Sequence, residues 1–301
     1  MSGRDWAILL LLSVLWGGSF FFIEIAVGSI LPLTLVLLRV ALASAVLLLF
    51  LRLRGERLPR GREPLLAFAI IALLNNALPF ALLAWAQTRI DSGLASILNA
   101  TTPIWGVVVA HWFTSDERAT PAKVAGVLLG FGGVAAMIGP TMLLDAEGEL
   151  VAQIACVAAA LSYALASVYG RRFKRWGISP LHVSAGQLGA ATLILLPFVL
   201  ALEPPWLASA PTLPALGAVV ALALFSTTFA YVLYFRLIES AGATNALLVT
   251  LLVPVTAILL GSLFLGEVLE PRHFAGMALI GAGLAAIDGR LIRVLKPSPA
   301  G

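Results

Sequence analysis

The residues best able to do chemistry in this chain are polar groups set inside long apolar runs. Arg39 stands about seven residues into one such run, roughly 10 Å deep at 1.5 Å per residue. A charge at that depth is costly, and it marks a functional site by default. Glu24 lies near the end of the preceding run and could pair with Arg39, or it could be solvated at the membrane interface. The neutral polar groups at similar depth are Asn75, Asn76, Asn99, Tyr163, Ser167, Gln187, Thr227, Thr228, Tyr231, Asn245 and Thr250. Amides and hydroxyls in apolar spans face protein or water. Each one alone is as well explained by an interhelical hydrogen bond, worth about 0.6 kcal/mol. Together they are better explained by a polar cavity for an uncharged or zwitterionic solute.

Prolines and aromatics add to this picture. Pro79, Pro103 and Pro254 each remove a backbone donor and free the carbonyl four residues back. In lipid a freed carbonyl needs a partner or a wet cavity. Asn99 precedes Pro103 by four residues and Thr250 precedes Pro254 by four, so each pair lies on roughly one helical face. The pairing predicts kinked, cavity-lining helices, against the plainer reading of kinks that serve packing. Trp16, Phe20, Phe80, Tyr163 and Tyr231 are deep enough to wall a small-molecule pocket. Helix packing accounts for Phe20 and Phe80 equally well. Trp6, Trp112, Trp176 and Trp206 fall at the ends of runs and read as interfacial anchors.

Several chemistries lack their residues. The sequence contains no HExxH, P-loop or GxSxG motif, and His111, His182 and His273 are isolated. The single cysteine, Cys156, cannot form an intrachain disulfide or a cysteine-based metal site. An enzyme, a metal site and a cofactor are therefore not expected. Nor is an ATPase subunit, since no nucleotide-binding segment is present.

The elements that must position these groups are membrane helices. Of 301 residues, 60% are hydrophobic and 11% charged, with a mean hydropathy of +1.02. Soluble domains run near 45–50% apolar and about 25% charged, so the surplus must face lipid. Runs of about 20 apolar residues span a bilayer. The sequence divides into ten, at 6–27, 32–51, 65–87, 93–114, 121–139, 151–170, 180–202, 213–236, 243–265 and 272–290. A β-barrel is excluded, because its strands are about ten residues long and alternate in polarity. With the N-terminus inside, 16 of the 19 Lys and Arg residues fall in inner segments and two, Arg89 and Arg272, in outer ones. This is the positive-inside bias. It explains the net charge of +4 without nucleic acid.

The chain also repeats itself. Ala125, Gly126, Leu129, Gly133, Ala135, Ala136 and Gly139 recur as Ala275, Gly276, Leu279, Gly283, Ala285, Ala286 and Gly289, a constant offset of 150. Glu117 and Pro121 recur as Glu267 and Pro271 at the same offset. Pro103 corresponds to Pro254 with one residue of slippage, and Pro32-Leu33 to Pro180-Leu181 at offset 148. Two repeats are expected, at 1–145 and 146–301, integrated in one transmembrane domain. Five spans per repeat is odd, so the second half must enter the membrane inverted. Inverted repeats are typical of carriers, because exchanging the conformations of the halves gives alternating access. The small residues of the fifth and tenth spans, Gly126-x-x-x-Gly130 among them, predict close helix packing without cavity lining.

The sequence resembles the drug/metabolite transporter superfamily, in particular its EamA-type members. The resemblance is carried by Trp16-Gly17-Gly18-Ser19-Phe20, by Leu38-Arg39-Val40-Ala41, and by the proline and Gly-Glu-like ending of each half, with Asp116 where Gly is usual. It implies an all-α membrane protein, ten helices in two inverted five-helix repeats around a central cavity. It further implies export of small metabolites such as amino acids across a bacterial cytoplasmic membrane, with both termini cytoplasmic. The expected partners are a small-molecule substrate and membrane lipids. A multidrug or small-organic efflux carrier is the second reading, followed by a passive channel and a duplicated scaffold without transport.

Overall fold

The computed structural model describes residues 1–90, 92–115, 119–138, 150–204, 210–264 and 271–288. Helices make up the secondary structure of these residues, with no strand among them. The first half holds α1 (Gly3–Val27), α2 (Pro32–Leu53), α3 (Arg62–Ala72), a π-helical turn π1 (Leu73–Ala77), α4 (Leu78–Ala86), α5 (Ser92–Asn99), α6 (Thr102–Phe113) and α7 (Pro121–Ile138). The second half runs in the same order: α8 (Leu150–Arg175), α9 (Pro180–Leu202), α10 (Leu213–Ala223), π2 (Leu224–Phe229), α11 (Ala230–Ala241), α12 (Ala243–Leu247), α13 (Val249–Phe264) and α14 (Pro271–Asp288). The repeat is thus visible in backbone detail, since the π turn and the broken fourth helix appear once in each half.

Local chemistry sets the boundaries. Ser2 and Asp5 form a capping box at the start of α1. Ser179 and Thr212 cap α9 and α10, and prolines occupy the first turns of α2, α9 and α10. Gly242 joins α11 to α12 at φ +88°, a backbone conformation that side chains with a Cβ rarely adopt. Seven helical stretches are long and apolar enough to cross a bilayer. They are Gly3–Val27, Pro32–Leu53, Arg62–Ala86, Ser92–Phe113, Leu150–Arg175, Pro180–Leu202 and Leu213–Ala241. The remaining helices α7, α13 and α14 are apolar and shorter, at 18, 16 and 18 residues. Leu49, Leu193, Phe198 and Leu263 are exposed, as lipid-facing side chains must be.

The halves interlock. α1 packs on α10, α11 and α13 of the second half, and α8 packs on α4, α5 and α6 of the first. α2 lies against α9, and α7 against α14. The last contact depends on glycine. A Cβ on Gly133 would meet Gly276 O at 2.7 Å, and one on Gly283 would meet Gly130 N at 2.7 Å. These are close backbone approaches of the kind small residues permit. The expected close packing is present, with Gly133 and Gly283 at its tightest points. Gly17 does the same for α1 on α13, where Thr256 Oγ1 fills the space of a Cβ and donates to Ser13 O at 2.6 Å. Glu117, Glu267 and the boundary expected near 145 lie outside the described residues.

Candidate functional site

Both π turns sit in the middle of their helices and carry polar side chains. A π turn is an α-helix holding one surplus residue, which leaves backbone groups without their usual partners. In π1 those groups find partners on the other half. Pro79 has no N–H, so Asn75 O is free to accept from Tyr231 Oη at 3.1 Å. Leu74 O accepts from Ser162 Oγ at 2.7 Å. In π2, Thr227 Oγ1 donates to Leu222 O and Thr228 Oγ1 to Ala223 O, both at 2.8 Å. Ser226 O accepts from Trp16 Nε1 at 3.2 Å, and Ser226 Oγ donates to Leu15 O at 2.7 Å.

Around these turns lies a narrow cavity of about 60 Å³, room for a few water molecules in this conformation. Both halves build it: Trp16 and Phe20 of α1, Arg39 of α2, Asn75 of π1, Phe80 of α4, Asn99 of α5, Tyr163 of α8, Tyr231 of α11 and Thr250 of α13. Trp16 packs edge-on to Tyr231 at 6.5 Å between ring centroids, and Phe80 lies 6.5 Å from Tyr163 and 6.4 Å from Tyr231.

Arg39 is 5% exposed. Its guanidinium lies 3.8 Å above the Phe80 ring, and its Nε donates to Thr227 Oγ1 at 2.7 Å. No carboxylate among the described residues stands within salt-bridge distance of it. The pairing with Glu24 considered from the sequence is therefore not the contact Arg39 makes. A neutral hydroxyl and an aromatic face hold it in place.

The other residues expected at the site sit behind the wall or away from it. Asn76 supports the lining, with Nδ2 donating to Tyr231 Oη at 2.8 Å. Gln187 does the same, accepting from Asn75 Nδ2 at 3.2 Å. Ser167, Thr228 and Asn245 bond to carbonyls of their own chain segment, Ala164 O, Ala223 O and Ala241 O. Pro79 and Pro103 begin α4 and α6, and the break ahead of Pro103 lets Thr102 Oγ1 donate to the freed Asn99 O at 2.6 Å. Pro254 lies inside α13, just past the break at Leu248. The cavity also takes in Ser19, Ile23, Leu83, Tyr234, Leu247 and Val253, which the sequence reading did not place at the site. Each lies three or four residues from a named lining residue, as Tyr234 does from Tyr231. Helical spacing was the signal that could have found them.

The sequence model of the EamA-like transporter family matches residues 5–139 and 150–287, once per half. The chain is 30% identical to a protein of Escherichia coli K12 named an uncharacterized inner membrane transporter, YedA, with 96% of this chain and 92% of that one covered. It is 27% identical to a protein of Streptantibioticus cattleyicolor named a probable terminal-alkyne amino-acid exporter, over 97% of this chain and 95% of that one. A solved crystal structure superposes with a TM-score of 0.79 at 22% identity, covering 97% of this chain and all of the other. That likeness bears on the fold.

Proposed function

Because this chain belongs to the EamA-like transporter family, we propose that it is a secondary carrier that moves small metabolites, amino acids foremost, out across the cytoplasmic membrane by alternating access. It is a transporter and not an enzyme. The observation that carries this reading is the cavity walled by both halves, with one buried charge, amides, phenols and aromatic faces around it. A site shared between halves changes sides when the halves exchange conformations.

Ten spans complete the proposal, in two inverted five-helix repeats at 1–145 and 146–301. The seven long helices, together with α7, α13 and α14, support that count. The excess of basic residues in alternate connections supports cytoplasmic termini. The name of the Streptantibioticus relative supports amino acids as cargo, and that of YedA supports the inner membrane. Arg39, Asn75, Asn99, Tyr163, Tyr231 and Thr250 are the proposed substrate contacts, with Trp16, Phe20 and Phe80 as walls. The aromatic walls also favour a second reading, a multidrug or small-organic efflux carrier.

The test is transport by the purified protein in liposomes, with labelled amino acids and a drug panel, with and without a pH gradient. Saturable uptake with counterflow is expected for amino acids, and gradient dependence reports proton coupling. Alanine at Asn99, Tyr163 or Tyr231 is expected to impair uptake while leaving membrane expression intact. Wild-type flux in all three variants would remove the cavity from the transport path.

A further inference from the structure

Arg39 occupies the cavity wall as a charge whose environment is incomplete. One of its three nitrogens, Nε, is hydrogen-bonded, and neither terminal nitrogen has a hydrogen-bond partner among the described residues. Guanidinium forks match carboxylates with two parallel N–H···O bonds. The other lining residues are neutral, so the cavity carries one positive charge and no fixed negative one among the described residues. Asn99 offers a different fitting. Its Oδ1 is buried and accepts no hydrogen bond among the described residues, so it presents a neutral acceptor. Around these two points the wall is apolar, with Phe20, Ile23, Leu83, Leu247 and Val253.

We propose that the carboxylate is the obligatory handle of the cargo. Arg39 takes that carboxylate, and the amino group is accepted through Asn99 but not required. This deepens the reading of the cavity as a metabolite site by naming its substrate class: organic monocarboxylates with a compact apolar or aromatic body, α-amino acids among them. The same charge disfavours cations, because bringing an amine or a lipophilic ammonium beside a buried guanidinium sets two like charges together in a low dielectric. The reading of the aromatic walls as a drug site is thereby narrowed to neutral or anionic compounds.

The experiment uses two sets of four compounds, each set sharing one side chain. The first is phenylalanine, 3-phenylpropanoate, phenylalaninamide and 2-phenylethylamine. The second is leucine with its des-amino acid, amide and amine. Unlabelled members compete for initial uptake of labelled phenylalanine or leucine into liposomes, and each is also tested for raising the thermal midpoint of the purified protein in detergent. In wild type the two carboxylates of each set are expected to compete about 30-fold or more better than the amide and amine, the scale of losing one partner of a buried charge pair. Arg39→Lys is expected to keep the preference with weaker competition, and Arg39→Gln to lose it. Should Arg39→Gln fail to fold, the wild-type and Arg39→Lys panels decide alone. Amides or amines that compete as well as carboxylates in wild type overturn the proposal and leave carriage of metabolites standing. If no compound is carried but the carboxylates alone stabilise wild type, the carboxylate site stands and amino-acid transport falls. Absence of both flux and stabilisation overturns the carboxylate site as well.

Discussion

π1 and π2 interrupt their helices at matching places, 151 residues apart, and each takes a hydrogen bond from the opposite half, at Asn75 O and Ser226 O, yet they differ in how their remaining loose carbonyls are served. π1 is amide-rich, and its carbonyls at Leu74 and Asn75 are served from the second half by Ser162 and Tyr231. π2 is hydroxyl-rich, and Thr227 and Thr228 serve carbonyls of their own helix at Leu222 and Ala223. The hydroxyl that closes π2 upon itself still has a lone pair to give. Thr227 uses it to accept from Arg39. The turn that depends more on the opposite half frees side chains to line the cavity, whereas the turn that closes partly on itself anchors the cavity's charge. Equivalent backbone in the two halves has therefore been divided into a wall and a mount.

Removing the surplus residue tests the shared part of this comparison and carries the largest expected effect. Leu73 and Phe225 are exposed, so deleting either removes no buried polar group. The deletion should restore a continuous α-helix with its flanking turns nearly in phase, and so close the wide turn itself. Asn75 would then leave the cavity wall, or Thr227 its bond to Arg39, and uptake should fall to background for both deletions. Wild-type uptake after deletion of Leu73 would show that the π turn is dispensable. The dependent turn is tested next. Tyr231→Phe takes one hydroxyl from both Asn75 O and Asn76 Nδ2, and should cost about 1–3 kcal/mol, read as a lowered unfolding midpoint in detergent. Ser162→Ala strands Leu74 O alone and should cost about 1 kcal/mol. The double variant should be non-additive, because both groups act on one turn. Thr228→Val should change stability by about 0.5 kcal/mol or less, since its bond is local to one helix. A Thr228→Val loss as large as that of Tyr231→Phe would abolish the distinction between the turns.

Much of this was legible in the sequence, for identifiable reasons. Arg39 stands out because a charge inside a 20-residue apolar run has few innocent explanations. The repeat shows because Gly133 and Gly283 must both be glycine, so their spacing survives divergence. The π turns were not legible. Their signature is one residue of phase in a helix that is apolar on nearly every side, and such a helix shows no stripe whose shift could be seen. The fate of each amide was hidden for another reason. Asn75 lines the cavity while Asn76 turns to Tyr231, and a sequence shows that both are deep but not which way either faces. Asn245 was a plausible ligand by depth, but its amide bonds to Ala241 O one turn back.

The glycine seam between α7 and α14 is symmetric about its own centre. Gly133 approaches Gly276 and Ile280, and Gly283 approaches Gly126 and Gly130. Subtracting 150 from one set of contacts returns the other, so the two sides exchange roles residue for residue. That reciprocity defines an isologous interface, the kind that two identical subunits make about a two-fold axis. The contact has the form that a two-fold homodimer would make, built within one polypeptide.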